Sequence, residues 1–374
     1  MQDYVVFKVG FNCGIVGLPN VGKSTLFNAL TATVQAQAEN YPFCTIEPNT
    51  GRVAVPDERL KVIADLAKSS KIIPTYIEFV DIAGLVKGAS TGEGLGNKFL
   101  SHIREVDAIC HVVRCFKEDD ITHVEGTIDS VRDAETIETE LLLADLDMVE
   151  KRFESIEKKA RGGDKSSKRQ LTLLSLVLNS LKEGEPVRKL NIPDDLKSDY
   201  QSLQLLTAKP VLFVGNVDEN SAGTGNDYSN KLFDMAKKRK AECVIVSAAI
   251  ESEVAQLSSI NEQHEFLSGL GLNETGLTRV IKSGYQLLDL ITFLTAGPKE
   301  ARAWTVPKGA LAPEAAGKIH SDFQKGFIRA ETISYNDYVT YGGEQQARDS
   351  GKMRQEGKDY IMKDGDIVLF RFNV

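Results

Sequence analysis

The sequence has few of the features that would place it in a specialised class of protein. Its 374 residues contain five cysteines and one tryptophan, and no two cysteines form a C-x-x-C pair. This gives no indication of a zinc site or a disulfide framework, so we expect reduced and mostly buried thiols. No apolar run approaches the length of a membrane span, and the first residues lack the basic and apolar segments of a signal peptide. We therefore expect a cytoplasmic protein.

The charge and composition exclude a second group of functions. The formal net charge is −8, from 45 basic and 53 acidic residues. Such a protein does not coat nucleic acid through its overall field, although a local basic patch can still contact it. With 42% hydrophobic and 26% charged residues, the composition is that of a globular chain, and its length suffices for two or three domains.

The most informative segment, residues 17–25, reads G-L-P-N-V-G-K-S-T. It fits G-x-x-x-x-G-K-[ST], the phosphate-binding loop of nucleoside triphosphatases. A strand-like segment, Phe11–Val16, precedes it, and a helix whose N-terminus favours an anion is predicted after it. In such a loop the lysine contacts the β- and γ-phosphates, which makes Lys23 a catalytic candidate, and the serine hydroxyl binds magnesium. The predicted nucleotide-binding residues of the loop are Asn20, Val21, Gly22, Lys23, Ser24 and Thr25.

Two further segments supply the other contacts expected around the γ-phosphate. Asp81-Ile82-Ala83-Gly84 follows the strand-like residues 77–80, which is the D-x-x-G arrangement of GTPases. We expect Asp81 to hold magnesium through a water and the Gly84 N–H to contact the γ-phosphate. Thr45 is the candidate that completes the magnesium shell with its hydroxyl, the alternative being an ordinary loop threonine.

Leu85 occupies the position where common GTPases have a glutamine that orients the attacking water. Leucine cannot form a hydrogen bond, so another residue must hold the water, and three histidines are candidates. His111 lies in an apolar strand and is typical of a core histidine, whereas His102 lies on a helix and faces solvent or packs. His123 belongs to a polar loop that can swing toward the phosphates, although its surroundings alone favour a solvated histidine.

The segment Asn216-Val217-Asp218-Glu219 follows a predicted strand where guanine-specific proteins have N-K-x-D. The aspartate of that motif accepts two hydrogen bonds from guanine, but Glu219 is one methylene longer and Val217 replaces the lysine. These changes predict a loss of guanine preference, while backbone groups beside Val217 can match the acceptor and donor of adenine. Ser247, which begins Ser-Ala-Ala after the next strand, resembles the element that supports the base.

Alternating strands and helices predict a parallel α/β sheet that a long helical segment interrupts. Apolar residues spaced four and three apart over 133–160, resumed on a second helix over 171–181, predict an antiparallel coiled-coil hairpin. Because strand-like segments return after it, the hairpin is an insertion. We therefore expect a P-loop domain over 11–284, a helical insertion over 128–206 and a small α+β domain over 285–374. In that last domain we expect strands at 291–295, 300–306 and 365–372, and a helix at 315–323.

Together these motifs resemble the Obg-like ATPases of the YchF type, a branch of the translation-factor class of GTPases. The resemblance covers nearly the whole chain and rests on the phosphate loop and on the segments 43–49, 81–89 and 92–97. It implies a P-loop domain, a helical coiled-coil insertion and a C-terminal TGS domain of the β-grasp type. It also implies ATP preference through Asn216 and Glu219, a hydrophobic residue at Leu85 and a catalytic histidine at His123.

A basic cluster lies at the predicted hairpin tip, where eight basic residues face three acidic ones. The basic residues are Lys151, Arg152, Lys158, Lys159, Arg161, Lys165, Lys168 and Arg169. Such a projecting cluster suits RNA phosphates, the alternative being a solvated charged face. The resemblance implies contact with the ribosome or its RNA, through the hairpin or the TGS domain, and a nucleotide switch in translation or stress regulation.

The ligands and partners expected from this sequence are ATP, Mg²⁺ and the ribosome, with no DNA specificity, no membrane contact and a monomeric chain. Two other functions remain open. A conventional GTPase switch is opposed by the residues at 216–219. A scaffold that binds ATP, regulates a protein partner and turns over little nucleotide is left open by Leu85.

Overall fold

The computed structural model describes residues 11–38, 49–82, 95–118, 127–161, 164–257 and 259–373. Thr45, Gly84, Leu85 and His123 lie outside these described residues. The strands are β1 Phe11–Val16, β2 Thr50–Ala54, β3 Ile72–Ile73, β4 Tyr76–Asp81, β5 Ala108–Arg114, β6 Val211–Asn216, β7 Glu242–Val246, β8 Leu290–Ala296, β9 Ala301–Pro307, β10 Phe327–Ser334, β11 Arg354–Glu356 and β12 Asp366–Phe372. The helices are α1 Lys23–Ala38, α2 Glu58–Ala67, α3 Leu95–Glu105, α4 Ser130–Arg161, α5 Lys165–Lys182, α6 Lys197–Ser202, α7 Asp227–Lys238, α8 Ala248–Val254, α9 Ile260–Gly269, α10 Gly276–Leu287, α11 Ala312–Ile319, α12 Ser321–Lys325, α13 Tyr335–Tyr341 and α14 Glu344–Asp349.

The first sheet has six strands in the order β2-β4-β1-β5-β6-β7. All neighbours pair in parallel except β2, which runs antiparallel to β4 at one edge. β5 and β6 are buried along their whole length, as expected for central strands with helices on both faces. The parallel strands predicted from the sequence are confirmed, whereas the edge strand β2 was not predicted. Because parallel strands end at the same edge, the loops after β1, β5 and β6 meet there.

The long helices α4 and α5 form the predicted antiparallel hairpin. Val149 on α4 and Leu174 and Leu181 on α5 are buried in one apolar cluster between the helices. An ion pair between Lys182 Nζ and Glu150 Oε1, at 3.2 Å, also joins them. Within the described ranges, no helix is both long and apolar enough to cross a bilayer.

A buried aspartate on α4 fixes the chain where it returns from the hairpin to the first sheet. Asp145 is fully buried and accepts hydrogen bonds from the backbone N–H groups of Leu206 (2.9 Å) and Thr207 (2.7 Å). The Thr207 hydroxyl donates a third bond of 2.7 Å to the same carboxylate. Burial raises the pKa of Asp145, and these three hydrogen bonds oppose that rise by stabilising the charged form. Asp145 therefore sets the position of β6 relative to the hairpin.

The second sheet has the order β11-β10-β12-β8-β9-β3 and carries an apolar layer on each face. The predicted strands at 291–295, 300–306 and 365–372 are confirmed as β8, β9 and β12, with β8 and β9 antiparallel. The predicted helix at 315–323 is instead two helices, α11 and α12. His320 between them has an extended backbone, with φ −160°. Its ring nitrogen accepts a hydrogen bond from the N–H of Asp322 and so caps the N-terminus of α12.

The second sheet also takes part of its structure from the N-terminal half of the chain. Strand β3 pairs in parallel with β9, and helix α2 packs its buried face on the same apolar layer. Arg59 on α2 forms ion pairs with Asp57 and with Asp364, and Asp364 also accepts the N–H of Thr292 on β8. These contacts could not be predicted from sequence, because β3 has only two residues and its pairing partner is more than 200 residues away.

We predict that Asp145→Ala lowers the free energy of unfolding by about 2–4 kcal/mol, because two buried N–H groups and a hydroxyl lose their acceptor. Denaturant unfolding followed by circular dichroism measures the change. Asp147→Ala is the matched control, since its carboxylate is exposed and pairs with Lys151 on the same helix surface. A loss no larger at Asp145 than at Asp147 would contradict the assigned role.

Candidate functional site

A cavity of about 1090 Å³ opens at the carboxyl edge of the first sheet. This is the edge where ligands bind in open α/β sheets. Three segments form its walls: the loop after β1, the loop after β5, and the loops after β6 and β7. The lining residues are Leu18, Pro19, Asn20, Gly22, Lys23, Ser24, Thr25, Phe116, Lys117, Glu118, Asn216, Val217, Asp218, Glu219, Asn220, Ala248 and Ala249.

The loop after β1 is shaped by a glycine that no other residue could replace. Gly22 has φ +88°, and a Cβ at this position would collide with the side-chain amide of Asn216. Helix α1 begins at the next residue, Lys23, so the first N–H groups of the helix have no acceptor within it. These N–H groups and the positive end of the helix dipole favour an anion at this point.

Asn216, the last residue of β6, joins two walls of the cavity. Its Nδ2 donates to the Val21 carbonyl of the loop after β1, at 2.9 Å, and its Oδ1 accepts the N–H of Ala248, at 2.9 Å. The Asn216 carbonyl accepts the N–H of Cys115 at the end of β5, at 2.7 Å. Because Asn216 is buried, these bonds are shielded from water. The relative placement of the walls therefore depends on this one side chain.

Lys23 lines the cavity, and Asp81 at the end of β4 lies next to it. The Lys23 ammonium forms an ion pair with Asp81 Oδ1, and both side chains are largely buried. Ser24, the next residue of α1, is exposed to the cavity. The sequence placed these three residues around one phosphate and one magnesium ion, and the fold brings them to one place. In the part of the chain that the structure describes, no group of three His, Cys, Asp or Glu side chains lies close enough to hold a metal ion by itself.

In the loop after β6, the Asp218 carboxylate forms hydrogen bonds within the loop itself. Asp218 accepts hydrogen bonds from the N–H and the hydroxyl of Ser221, at 3.1 and 3.0 Å, and caps a short 3₁₀ turn that starts at Glu219. Glu219 is exposed at the cavity wall. Val217 is buried, and its N–H already donates to the Val246 carbonyl at 2.8 Å. A ligand donor at Val217 is thus excluded, although its carbonyl can still accept.

The segment Phe116–Glu118 after β5 forms a wall that the sequence reasoning missed. Phe116 is half-buried and offers an aromatic face to the cavity, and Lys117 and Glu118 are exposed beside it. The signal that could have identified the segment is its position, since it directly follows a fully buried strand next to β1. An aromatic ring at such a wall stacks on a planar base.

Three of the described residues predicted from sequence do not line the cavity, namely Val21, Ser247 and Asp81, the last of which reaches the site through its ion pair with Lys23. Val21 is buried and contributes its carbonyl to the bond from Asn216. Ser247 is also buried, and within the described chain its hydroxyl has no hydrogen-bond partner. The two alanines that follow Ser247 lie at the wall instead.

The two candidate histidines that the structure describes, His111 and His102, differ in solvent exposure. His111 is buried next to the ring of Phe213, and burial lowers its pKa to about 3, so it stays neutral and away from solvent. His102 is exposed on α3 and does not line the cavity. The third candidate, His123, lies outside the described residues.

Two family models match this chain. The model for the C-terminal domain of YchF GTPases, described as a protein of unknown function (DUF933), matches residues 290–373. A second model, described as a 50S ribosome-binding GTPase, matches residues 12–145. The first match covers β8 to β12 of the second sheet, and the second covers the cavity wall after β1.

The relatives among curated proteins match over nearly the full chain. A protein of Escherichia coli O157:H7 named "Ribosome-binding ATPase YchF" is 54% identical over 366 residues, which cover 98% of this chain and 100% of that protein. A protein of the same name from Bacillus subtilis (strain 168) is 51% identical over 368 residues, with 98% and 100% covered.

One solved structure agrees in both fold and sequence. It is titled "Structure of the Schizosaccharomyces pombe YchF GTPase", and it covers 97% of this chain and 98% of its own with a TM-score of 0.88 at 39% identity. Two further matched solved structures, of an SsGBP variant and of the FeoB G-domain from Methanococcus jannaschii, have TM-scores of 0.31 and 0.26 and carry no further argument. With half of its residues identical to those of relatives along nearly its entire length, this chain belongs to the YchF family of P-loop proteins.

Proposed function

We propose that this protein is an ATPase that binds its nucleotide in the cavity at the edge of the first sheet and acts on the ribosome as a nucleotide-dependent switch. The observation that carries the proposal is the cavity itself, where a phosphate-binding loop and a base-side loop are held together by Asn216. The curated relatives named ribosome-binding ATPases support the same activity and partner.

The phosphates are assigned to the start of α1. The N–H groups at the beginning of this helix and the Lys23 ammonium would bind the β- and γ-phosphate oxygens. Asp81 and Ser24 offer a carboxylate and a hydroxyl, the hard oxygen donors that Mg²⁺ prefers, and we add Thr45 to this set. Bound Mg²⁺ would supply positive charge next to the transferred phosphate. Lys23 must leave Asp81 when nucleotide binds, so its charge moves from a protein carboxylate to a phosphate.

Adenine is favoured over guanine because the loop after β6 lacks guanine's acceptors. The aspartate that is present, Asp218, is occupied by Ser221, and Glu219 reaches one methylene too far. Each guanine donor left without an acceptor costs about 1–3 kcal/mol. The Val217 carbonyl would accept a hydrogen bond from the exocyclic amine of adenine at the cavity wall, and the Phe116 ring would stack on either purine. The names of the relatives differ on this point, since the curated proteins are called ATPases and the solved structure a GTPase.

Water positioning is assigned to His123. Leu85 has no hydrogen-bonding group. His111 is enclosed in the core and His102 does not line the cavity, so neither is placed to hold a water there. Because neither His111 nor His102 is placed to hold the water, we propose that His123 acts in the transition state. We also propose that Gly84 contacts the γ-phosphate.

Ribosome contact is assigned to the hairpin tip, where ion pairs reduce the number of free cations. Lys151, Arg161 and Arg169 pair with Asp147, Glu157 and Asp199. Among the described side chains of the tip, the basic residues outside these pairs are Arg152, Lys158, Lys159 and Lys168, all exposed. Charges that the protein itself does not neutralise are the ones that can release counterions from RNA phosphates.

Hydrolysis of ATP and GTP, measured side by side, tests the proposed activity. We expect the wild type to hydrolyse ATP with a higher kcat/KM than GTP. Lys23→Ala should lower ATP turnover to background because the phosphate charge loses its partner. Lys117→Ala is the matched control, an exposed lysine at the opposite wall, and should change turnover much less. Wild-type turnover by the Lys23→Ala protein, or a clear preference for GTP, would overturn the proposal.

His123→Ala is expected to lower kcat by at least about tenfold and to leave ATP affinity nearly unchanged, as for a group that acts in the transition state alone. Single-turnover hydrolysis and a separate binding titration measure the two quantities. His102→Ala is the control and should retain full turnover. An unchanged kcat in the His123 variant would return this residue to the role of a solvated loop histidine.

The triple variant Lys158→Glu, Lys159→Glu and Lys168→Glu is expected to weaken ribosome binding and to flatten its salt dependence by about two to three in log–log slope. Cosedimentation at several salt concentrations gives both numbers. The control is the same change at three exposed lysines of α7, Lys231, Lys237 and Lys238. If the two triple variants lose affinity equally, a different surface makes the contact.

A further inference from the structure

Arg114, the last residue of β5, holds the wall segment Phe116–Glu118. It is a large side chain with only 1% of its surface exposed. Its Nε donates to the Phe116 carbonyl at 3.2 Å, one of its terminal nitrogens donates to the Glu118 carbonyl at 3.3 Å, and its guanidinium lies 4.6 Å from the centre of the Phe116 ring. The position of this wall therefore follows the position of the Arg114 guanidinium.

The charge of Arg114 is balanced by the first turn of α4. Burial lowers the pKa of the guanidinium, and the carboxylates of Glu118 and Asp133 oppose that shift. Asp133 lies in the first turn of α4 and is itself 2% exposed. The residue after it, Ala134, and Ile137 one turn later pack in the same core as β5. The buried carboxylate of Asp133, which also pairs with Arg132 at 3.3 Å, thus opposes the desolvation of the guanidinium that holds the cavity wall.

A second set of contacts leads from the other wall to the same turn. Asn226, which caps α7, donates to the Cys115 carbonyl at 2.7 Å and lies 3.5 Å from Asp218 of the base-side loop. Two residues further on, the Tyr228 carbonyl accepts the hydroxyl of Ser130, the first residue of α4, at 2.7 Å. Both walls that would enclose a base are therefore fixed to the start of α4.

Helix α4 continues without a break for 32 residues, which corresponds to about 48 Å, and its far end carries the basic tip. We propose that Arg114 and Asp133 are positioning residues that couple nucleotide binding in the cavity to the orientation of α4, so that nucleotide and ribosome each change the affinity for the other. This inference rests on the proposed function. A nucleotide that moves the Phe116–Glu118 wall also moves Arg114, and through Asp133 it moves the root of the hairpin.

The test is the ratio of ribosome dissociation constants measured with ADP and with a non-hydrolysable ATP analogue. We expect the wild type to show a ratio that departs from one by at least about fivefold, and Asp133→Asn to bring it close to one. Asp133→Glu keeps the charge and should keep part of the ratio. Asp147→Asn is the matched control, the same change on an exposed face of α4, and should keep all of it.

A wild-type ratio of one, or a full ratio in Asp133→Asn, would overturn the coupling. If the wild type binds no ATP analogue or no ribosomes, the proposed function fails and the coupling fails with it, so a direct binding titration of each is run first. A wild-type ratio of one would remove the switch from the proposed function as well as the coupling, whereas a full ratio in Asp133→Asn would overturn only the role given to Arg114 and Asp133.

Hydrogen exchange on the wild type covers the case in which Asp133→Asn does not fold. Binding of the ATP analogue should slow amide exchange at the cavity walls and also in the first turns of α4, while α13 on the second sheet should be unaffected. Slower exchange that is confined to the cavity walls would contradict the coupling, because the nucleotide would then leave the hairpin root unchanged.

Discussion

The site depends on the two side-chain hydrogen bonds of Asn216. One goes to the carbonyl of the phosphate-binding loop and the other comes from the loop after β7, so a single buried amide sets the distance between the phosphate side and the base side of the cavity. The same amide lies where a Cβ at position 22 would be, so the glycine in the loop and the asparagine at the strand end require each other. Neither segment can be changed alone without moving the other.

The parts of the site that could be predicted from sequence are those fixed by local geometry. Lys23 and Ser24 begin a helix and Asp81 and Asn216 end strands, and parallel strands bring such positions to one edge. Phe116 and Arg114 were not predicted, because their role arises from packing between β5 and α4 and leaves no short motif. The hydrogen bond from the Val217 N–H to the Val246 carbonyl of β7 was not predicted either. The sequence of a strand does not specify which neighbouring strand the N–H that follows it will contact.

The same distinction applies to the fold. The apolar spacing of α4 and α5 predicted the hairpin because two amphipathic helices joined by a glycine turn can bury their stripes only against each other. Strands β8, β9 and β12 of the second sheet were predicted, but β3 was not. A two-residue strand that pairs with the distant β9 leaves no recognisable pattern in the sequence. His320 divided a predicted helix because its extended backbone and its ring nitrogen provide a cap, which spacing of apolar residues does not reveal.

Nucleotide choice is what would separate this site from a conventional GTPase, because Asp218 in the loop after β6 is bonded to Ser221 and we propose that guanine finds no acceptor there. Calorimetric titration of the wild-type protein with ADP and with GDP tests it most directly, since diphosphates report base recognition without hydrolysis. We expect ADP to bind at least about tenfold more tightly than GDP. This ratio corresponds to about 1.4 kcal/mol and to one guanine donor left without an acceptor. GDP binding as tight as ADP binding would contradict it.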